Sequence, residues 1–118
     1  MLGISNRREN AVQRTRLPLT TEFGLNVAMK LTVLGSGTSE PHPERSSSGY
    51  WLESGSGSVL LDCSASSLHR MAQERLDWAN LDAIWISHFH LDHCGGLAPF
   101  LFAVAASHRA HACRADSS

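Results

Sequence analysis

Four consecutive apolar residues, Ala83-Ile84-Trp85-Ile86, run directly into Ser87-His88-Phe89-His90-Leu91-Asp92-His93. A short apolar run without alternation reads as a strand buried on both faces, which belongs in a sheet covered by helices. A polar, histidine-rich turn at its end is costly unless those groups find partners. The two stretches together favour an α/β fold with a site at the carboxyl end of a strand, where ligands gather in such sheets.

The flanking sequence gives the rest of the frame. Residues 30–34 (Lys-Leu-Thr-Val-Leu) are a β-rich run ending at Gly35-Ser36-Gly37-Thr38-Ser39, a turn-prone stretch. Pro41 and Pro43 hold a loop. Residues 49–53 and 59–63 are predicted as strands joined by a flexible connection through Gly55 and Gly57. The period then becomes helical, with Leu68, Met71, Ala72 and Leu76 on one face and Ser66 or Ser67 as N-cap, so a helix is expected over 67–76. Leu97 to Val104 is a second helical run, and Pro99 fits it only in the first turn. Trp51 and Trp85 are expected in the core, and Cys63 and Cys94 as small packing groups.

Residues 1–28 show no sustained period and are expected to be a poorly ordered extension. Residues 103–118 read as a low-information tail. The domain proper is then 29–102.

Charge is distributed unevenly. Residues 1–30 hold Arg7, Arg8, Arg14, Arg16 and Lys30 against Glu9 and Glu22, a balance of +3. Residues 31–102 hold Arg45, Arg70 and Arg75 against eight carboxylates, a balance of −5. A surface that grips nucleic acid by its phosphates has the opposite sign, so the middle segment argues against RNA. The three cysteines form no C-x-x-C pair, which indicates neither a disulfide framework nor a cysteine zinc knuckle and favours a reducing cytoplasmic setting. No apolar run reaches membrane-spanning length.

His88 and His90 are two apart, so in extended backbone they point to the same side and one metal could take both. Asp92 and His93 follow where the chain should turn and could reach a second metal. Imidazole and carboxylate are the usual ligands of catalytic zinc. The alternative is a solvent-exposed histidine-rich loop. Asp62, at a strand end, is a candidate to orient a metal ligand; a turn or capping role is the competing reading. Cys94 adjoins the motif, and His42 lies on a loop able to approach it. Gly35 to Ser39 lacks the lysine of a P-loop and reads as a structural turn.

Ser87 to His93 matches the H-x-H-x-D-H signature of the metallo-β-lactamase superfamily. Leu31 to Pro41 resembles the opening strand and glycine turn of the ribonuclease-Z-like branch, and Leu60-Leu61-Asp62-Cys63 followed by a helix resembles its third-strand segment. The resemblance covers about residues 29–102. It implies the N-terminal half of an αββα sandwich with a dinuclear site at one edge. It implies His88 and His90 on a first zinc and Asp92 and His93 on a second, with manganese or iron as alternative metals. Asp92 would also help protonate the leaving group. The implied activity is a zinc-dependent hydrolase of phosphodiesters, acting on RNA or a small molecule, with a homodimer as a candidate assembly. Other branches hydrolyse small esters, thioesters, lactones and β-lactams. Two departures stand out. Ser64 and Ser66 occupy positions where the family has glycine. The family's remaining ligands lie beyond residue 118, so a truncated, non-catalytic fragment is the competing expectation.

Overall fold

The computed structural model describes residues 14–20 and 26–115. Five strands form one sheet in the order of the chain: β1 (Arg14–Thr20), β2 (Asn26–Gly35), β3 (Gly49–Ser54), β4 (Gly57–Leu61) and β5 (Ala83–Trp85). The first three pairings are antiparallel, and β4 with β5 is parallel. The crossover between them contains α1 (Ser67–Gln73) and a 3-10 turn over Trp78–Asn80. After β5 come the single-turn helix α2 (Leu91–Cys94) and the long α3 (Leu97–Ala115).

Register sorts the strands' side chains into two faces. Thr32, Trp51, Leu60 and Ile84 stand opposite one another across four strands. They begin the inner face, where Leu34, Trp51, Leu60, Cys63, Met71, Leu76 and Phe100 form the core. Met71 comes from α1 and Phe100 from α3, so both helices cover this one face. The alternate rows, Leu31-Leu52-Val59-Ala83 and Val33-Tyr50-Leu61-Trp85, define the other face. None of those eight residues is buried, and Trp85 is 58% exposed.

The expected strand 83–86 forms, but it is not buried on both faces. Among the described residues Ala83–Trp85 is an edge strand with a single neighbour; Ile84 and Ile86 pack against the core, while Ala83 and Trp85 face the side that neither helix covers. Trp85 therefore lies outside the core in which it was expected, while Trp51 is 1% exposed within it.

Three further differences have local causes. Residues 14–20 and 26–28, expected in an irregular extension, are strand; Arg14–Thr20 pairs with Asn26–Thr32, and its backbone hydrogen bonds go to a neighbour no periodicity reveals. The rest of the expected extension, residues 1–13 and 21–25, lies outside the described residues. Helix α1 ends at Gln73 because Arg75 turns left-handed at φ 55, which returns Leu76 to the core. Helix α3 runs past Val104 to Ala115, through the segment read as a tail; its frequent alanines favour helix wherever packing does not decide. Pro99 sits in the first turn of α3, as its missing N–H requires.

Candidate metal centre

Strands β4 and β5 end side by side, and the candidate site is built on those two ends. The Asp62 N–H donates to the Trp85 carbonyl at 2.8 Å and extends the parallel ladder one step beyond the last paired residues. Asp62 then leaves the strand in the left-handed region, at φ 59. Aspartate tolerates that conformation better than most residues, because its short polar side chain bonds locally. The turn carries its carboxylate across to the start of the motif. Oδ1 accepts the Ser87 backbone N–H at 2.7 Å, and Oδ2 accepts the Ser87 hydroxyl at 2.9 Å. Nδ1 of His93 lies 2.6 Å from the same Oδ2.

The motif backbone is held as firmly. Cys63 N–H donates to the His93 carbonyl at 2.7 Å, and Gly96 N–H to the Cys63 carbonyl at 2.8 Å. Gly96 is required there, since a Cβ would stand 2.1 Å from the Ser64 carbonyl oxygen. His90 is extended and serves as N-cap of α2, its carbonyl accepting from the N–H groups of His93 and Cys94. The residues expected as one polar loop thus divide into an extended part, Ser87 to His90, and a helical turn carrying Asp92 and His93.

The four residues predicted as metal ligands come together. The His88 and His90 rings lie 4.6 Å apart between centroids, on one side of the chain as their spacing demands. His88 is also 4.1 Å from the His93 ring. Nε2 of His93 is 3.2 Å from Oδ2 of Asp92, so the nitrogen turned away from Asp62 faces the second carboxylate. Asp62, weighed from sequence as either a ligand-orienting group or a turn residue, has the geometry of both. The Ser87 hydroxyl had no role assigned. Its only sequence signal is its place immediately before the first histidine. His108 bonds the Ala79 carbonyl on the 3-10 turn instead of joining the motif, and His42 accepts the Glu44 N–H within its own loop.

Electrostatics follow the hydrogen bonds. Burial works to raise the Asp62 carboxyl pKa, but the Ser87 N–H, His93 and the Ser87 hydroxyl outweigh it, and the group lies below its ordinary value. His93 is raised, chiefly by its hydrogen bond to Asp62, with the Asp92 and Asp62 charges adding to it against desolvation. Cys63, fully buried behind the motif, is pushed up to about 11 by burial and the neighbouring Cys94.

The donors fit a zinc-type ion in kind: three imidazoles and a carboxylate, one imidazole braced through its other nitrogen by a carboxylate. In arrangement the fit is partial. Among the described residues, no three His, Cys, Asp or Glu side chains converge on one point. The Gly35–Ser47 loop, Ala65, Ser66 and Arg70 line an open cavity of about 720 Å3 that none of Asp62, Ser87, His88, His90, Asp92 and His93 borders. Its wall is tied to the strand end by the Ser64 hydroxyl, which donates to the Ser47 carbonyl.

Comparison with known proteins agrees with this architecture. The family described as anti-Pycsar protein Apyc1 matches residues 29–113. Ribonuclease Z of Exiguobacterium is 36% identical over 73 residues, which are 62% of this chain and 24% of that protein. The solved structure of the metallo-β-lactamase fold protein YhfI from Bacillus subtilis superposes with a TM-score of 0.58 at 36% identity, covering 64% of this chain and 30% of that one. Human tRNase Z, short form, gives 0.59 at 30% identity, covering 63% and 29%. The matched region thus spans 24–30% of the length of these relatives.

Proposed function

The chain belongs to the family of the anti-Pycsar protein Apyc1 and has the metallo-β-lactamase fold, and on that premise we propose that it serves a metal-dependent hydrolase cleaving phosphodiester bonds. His88 and His90 would hold one zinc ion, and Asp92 and His93 a second, with manganese or iron as alternatives. The metal supplies Lewis acidity and an activated water when bound. The observation that supports this reading is the chain of neighbours at the end of one parallel strand pair, His90 beside His88, His88 beside His93 and His93 beside Asp92, with His93 braced by Asp62.

The chain's own groups have distinct parts. Asp62 holds the His93 ring by its Nδ1 and leaves Nε2 to bind. Asp92, whose Oδ2 lies 3.2 Å from that nitrogen, would return a proton to the leaving oxygen. With a charge balance of −5 over residues 31–102, a small phosphodiester or a single RNA end suits the chain better than a long phosphate backbone, which needs a basic track. The ribonuclease Z and tRNase Z names of the relatives support the phosphodiester class. Among the described residues no helix is long and apolar enough to cross a membrane. The proposed setting is cytoplasmic, and a homodimer is the assembly to test.

A second reading is favoured by the absence of a three-donor cluster among the described residues. In it the chain holds one metal weakly through His88 and His90 and does not turn over. The full chain is dialysed against zinc, its metal counted by mass spectrometry, and its hydrolysis of bis(p-nitrophenyl) phosphate followed. About two zinc ions per chain, with turnover abolished in His90→Ala, supports the hydrolase. Less than one ion and no turnover supports the second reading.

A further inference from the structure

We propose that the uncovered face of the sheet is a self-association surface, packed sheet to sheet against the same face of a second copy of this chain. The inference names the surface of the proposed homodimer and does not depend on a bound metal. Apart from Thr32, residues 31–34, 50–52, 59–61 and 83–85 are apolar without alternation. An antiparallel sheet with one wet face alternates apolar and polar residues, whereas an unbroken apolar run marks a strand covered on both sides. Among the described residues the helices cover only the side of Trp51 and Leu60. The two outer rows, from Leu31 to Ala83 and from Val33 to Trp85, lie on the other side.

Charge and area select a second copy as the cover. Neither row holds a charged side chain, so the face meets its own image without like-charge repulsion and offers a charged partner nothing to pair with. The formal net charge of the whole chain is −1, too small to hold two copies apart. The chain exposes 9039 Å2, where a folded monomer of 12.8 kDa exposes about 6300 Å2. A stable interface takes about 800 Å2 from each partner, roughly a third of that excess. Tyr50 and Trp85, the latter 58% exposed, are aromatic types that interfaces favour. Sheets pack face to face about 10 Å apart with their strands within about 30°, an arrangement a two-fold axis can generate. Trp85 stands two residues before Ser87, so the paired face borders the motif.

The test uses the full chain in chelator, where the metal site is not read. Sedimentation equilibrium between about 0.1 and 100 μM should reach twice the 12.8 kDa of one chain. With fluorinated tryptophan, assigned through Trp85→Phe, the Trp85 19F signal of the dimer should show no shift between H2O and D2O, like that of buried Trp51. Leu52→Lys places a charge on the face twice per dimer and should raise the dissociation constant at least about 100-fold. Leu101→Lys, on α3 at a residue 55% exposed, should leave it unchanged. A wild-type monomer throughout that range overturns the proposal. So does a dimer whose Trp85 still responds to D2O, since another surface then makes it, and so do open-ended aggregates in place of a dimer. None of these three readings requires Leu52→Lys to fold. A dimer with Trp85 shielded, in a chain that neither holds zinc nor hydrolyses a phosphodiester, supports the surface and removes the metal reading alone.

Discussion

Oδ2 of Asp62 and Nδ1 of His93 are 2.6 Å apart, although 31 residues separate them in the chain. Asp62 closes β4 and His93 sits on the helical turn after β5, so this bond joins the two halves of the site. It also couples a backbone requirement to a chemical one, because Asp62 is left-handed at φ 59.

Substitutions at Asp62 should separate the two. Asp62→Gly keeps the backbone and loses the carboxylate; Asp62→Ala loses both. Asp62→Ala should cost about 2–4 kcal/mol of unfolding free energy, with Asp62→Gly about 1 kcal/mol milder, since the left-handed conformation itself costs an alanine about 1–2 kcal/mol. Urea denaturation of the metal-free protein measures the difference. Equal losses in the two variants would show that the backbone conformation contributes nothing.

The same pair predicts the pH dependence of the metal-free chain. Asp62 is lowered on folding, so its stabilisation is present above the unfolded carboxyl pKa and lost as pH falls through the folded one. His93 is raised, so its stabilisation is complete below the unfolded imidazole pKa and lost as pH rises through the folded one. Thermal melting in chelator should therefore peak between the two, in the weakly acidic range. His93→Gln should flatten the alkaline limb, and an unchanged alkaline limb in that variant would assign it to another group.

Cys63 and Cys113 should differ in reactivity. With its pKa near 11 and no exposed surface, Cys63 should resist iodoacetamide at pH 8, whereas the exposed Cys113 should alkylate. Peptide mass mapping before and after denaturation reads both. Rapid labelling of Cys63 in the native state would mean that the strand end behind the motif opens.

Thr32 is fully buried, and among the described residues its hydroxyl has no hydrogen-bond partner. Thr32→Val keeps the branched shape that suits a strand and removes the unsatisfied group. It should raise the unfolding free energy by about 1 kcal/mol. A loss of stability would point to a bound water at that hydroxyl.

Gly96→Ala should act at a distance on the motif. The added methyl would meet the Ser64 carbonyl and push α3 from the end of β4. Zinc affinity should fall together with melting temperature. A variant that melts normally but binds poorly would show that α3 positions the motif without supporting the fold.

Much of this arrangement was legible in residue order. The two-apart spacing of His88 and His90 already places their rings on one side, and the apolar run before Ser87 already marks a strand leading to the site. Leu68 and Met71 mark the helix that covers the sheet. What escaped was set by partners distant in sequence. Trp85 looks like a core residue until the strand register turns it to the face that neither helix covers. Arg14–Thr20 finds its ladder only against β2. Residues 105–115 carry no apolar period, yet alanine suffices to continue α3. The Ser87 hydroxyl could be given a role only once Asp62 was known to lie across from it.

The parallel pairing of β4 and β5 has a kinetic consequence. The pairings from β1 to β4 join consecutive antiparallel strands, which close over short or moderate loops. The β4–β5 pairing alone must wait for a crossover of more than 20 residues, from Asp62 to Asp82, to be gathered first. Non-local pairing of this kind forms slowly. The pairing that brings the histidines to the end of β4 should therefore form after the antiparallel hairpins.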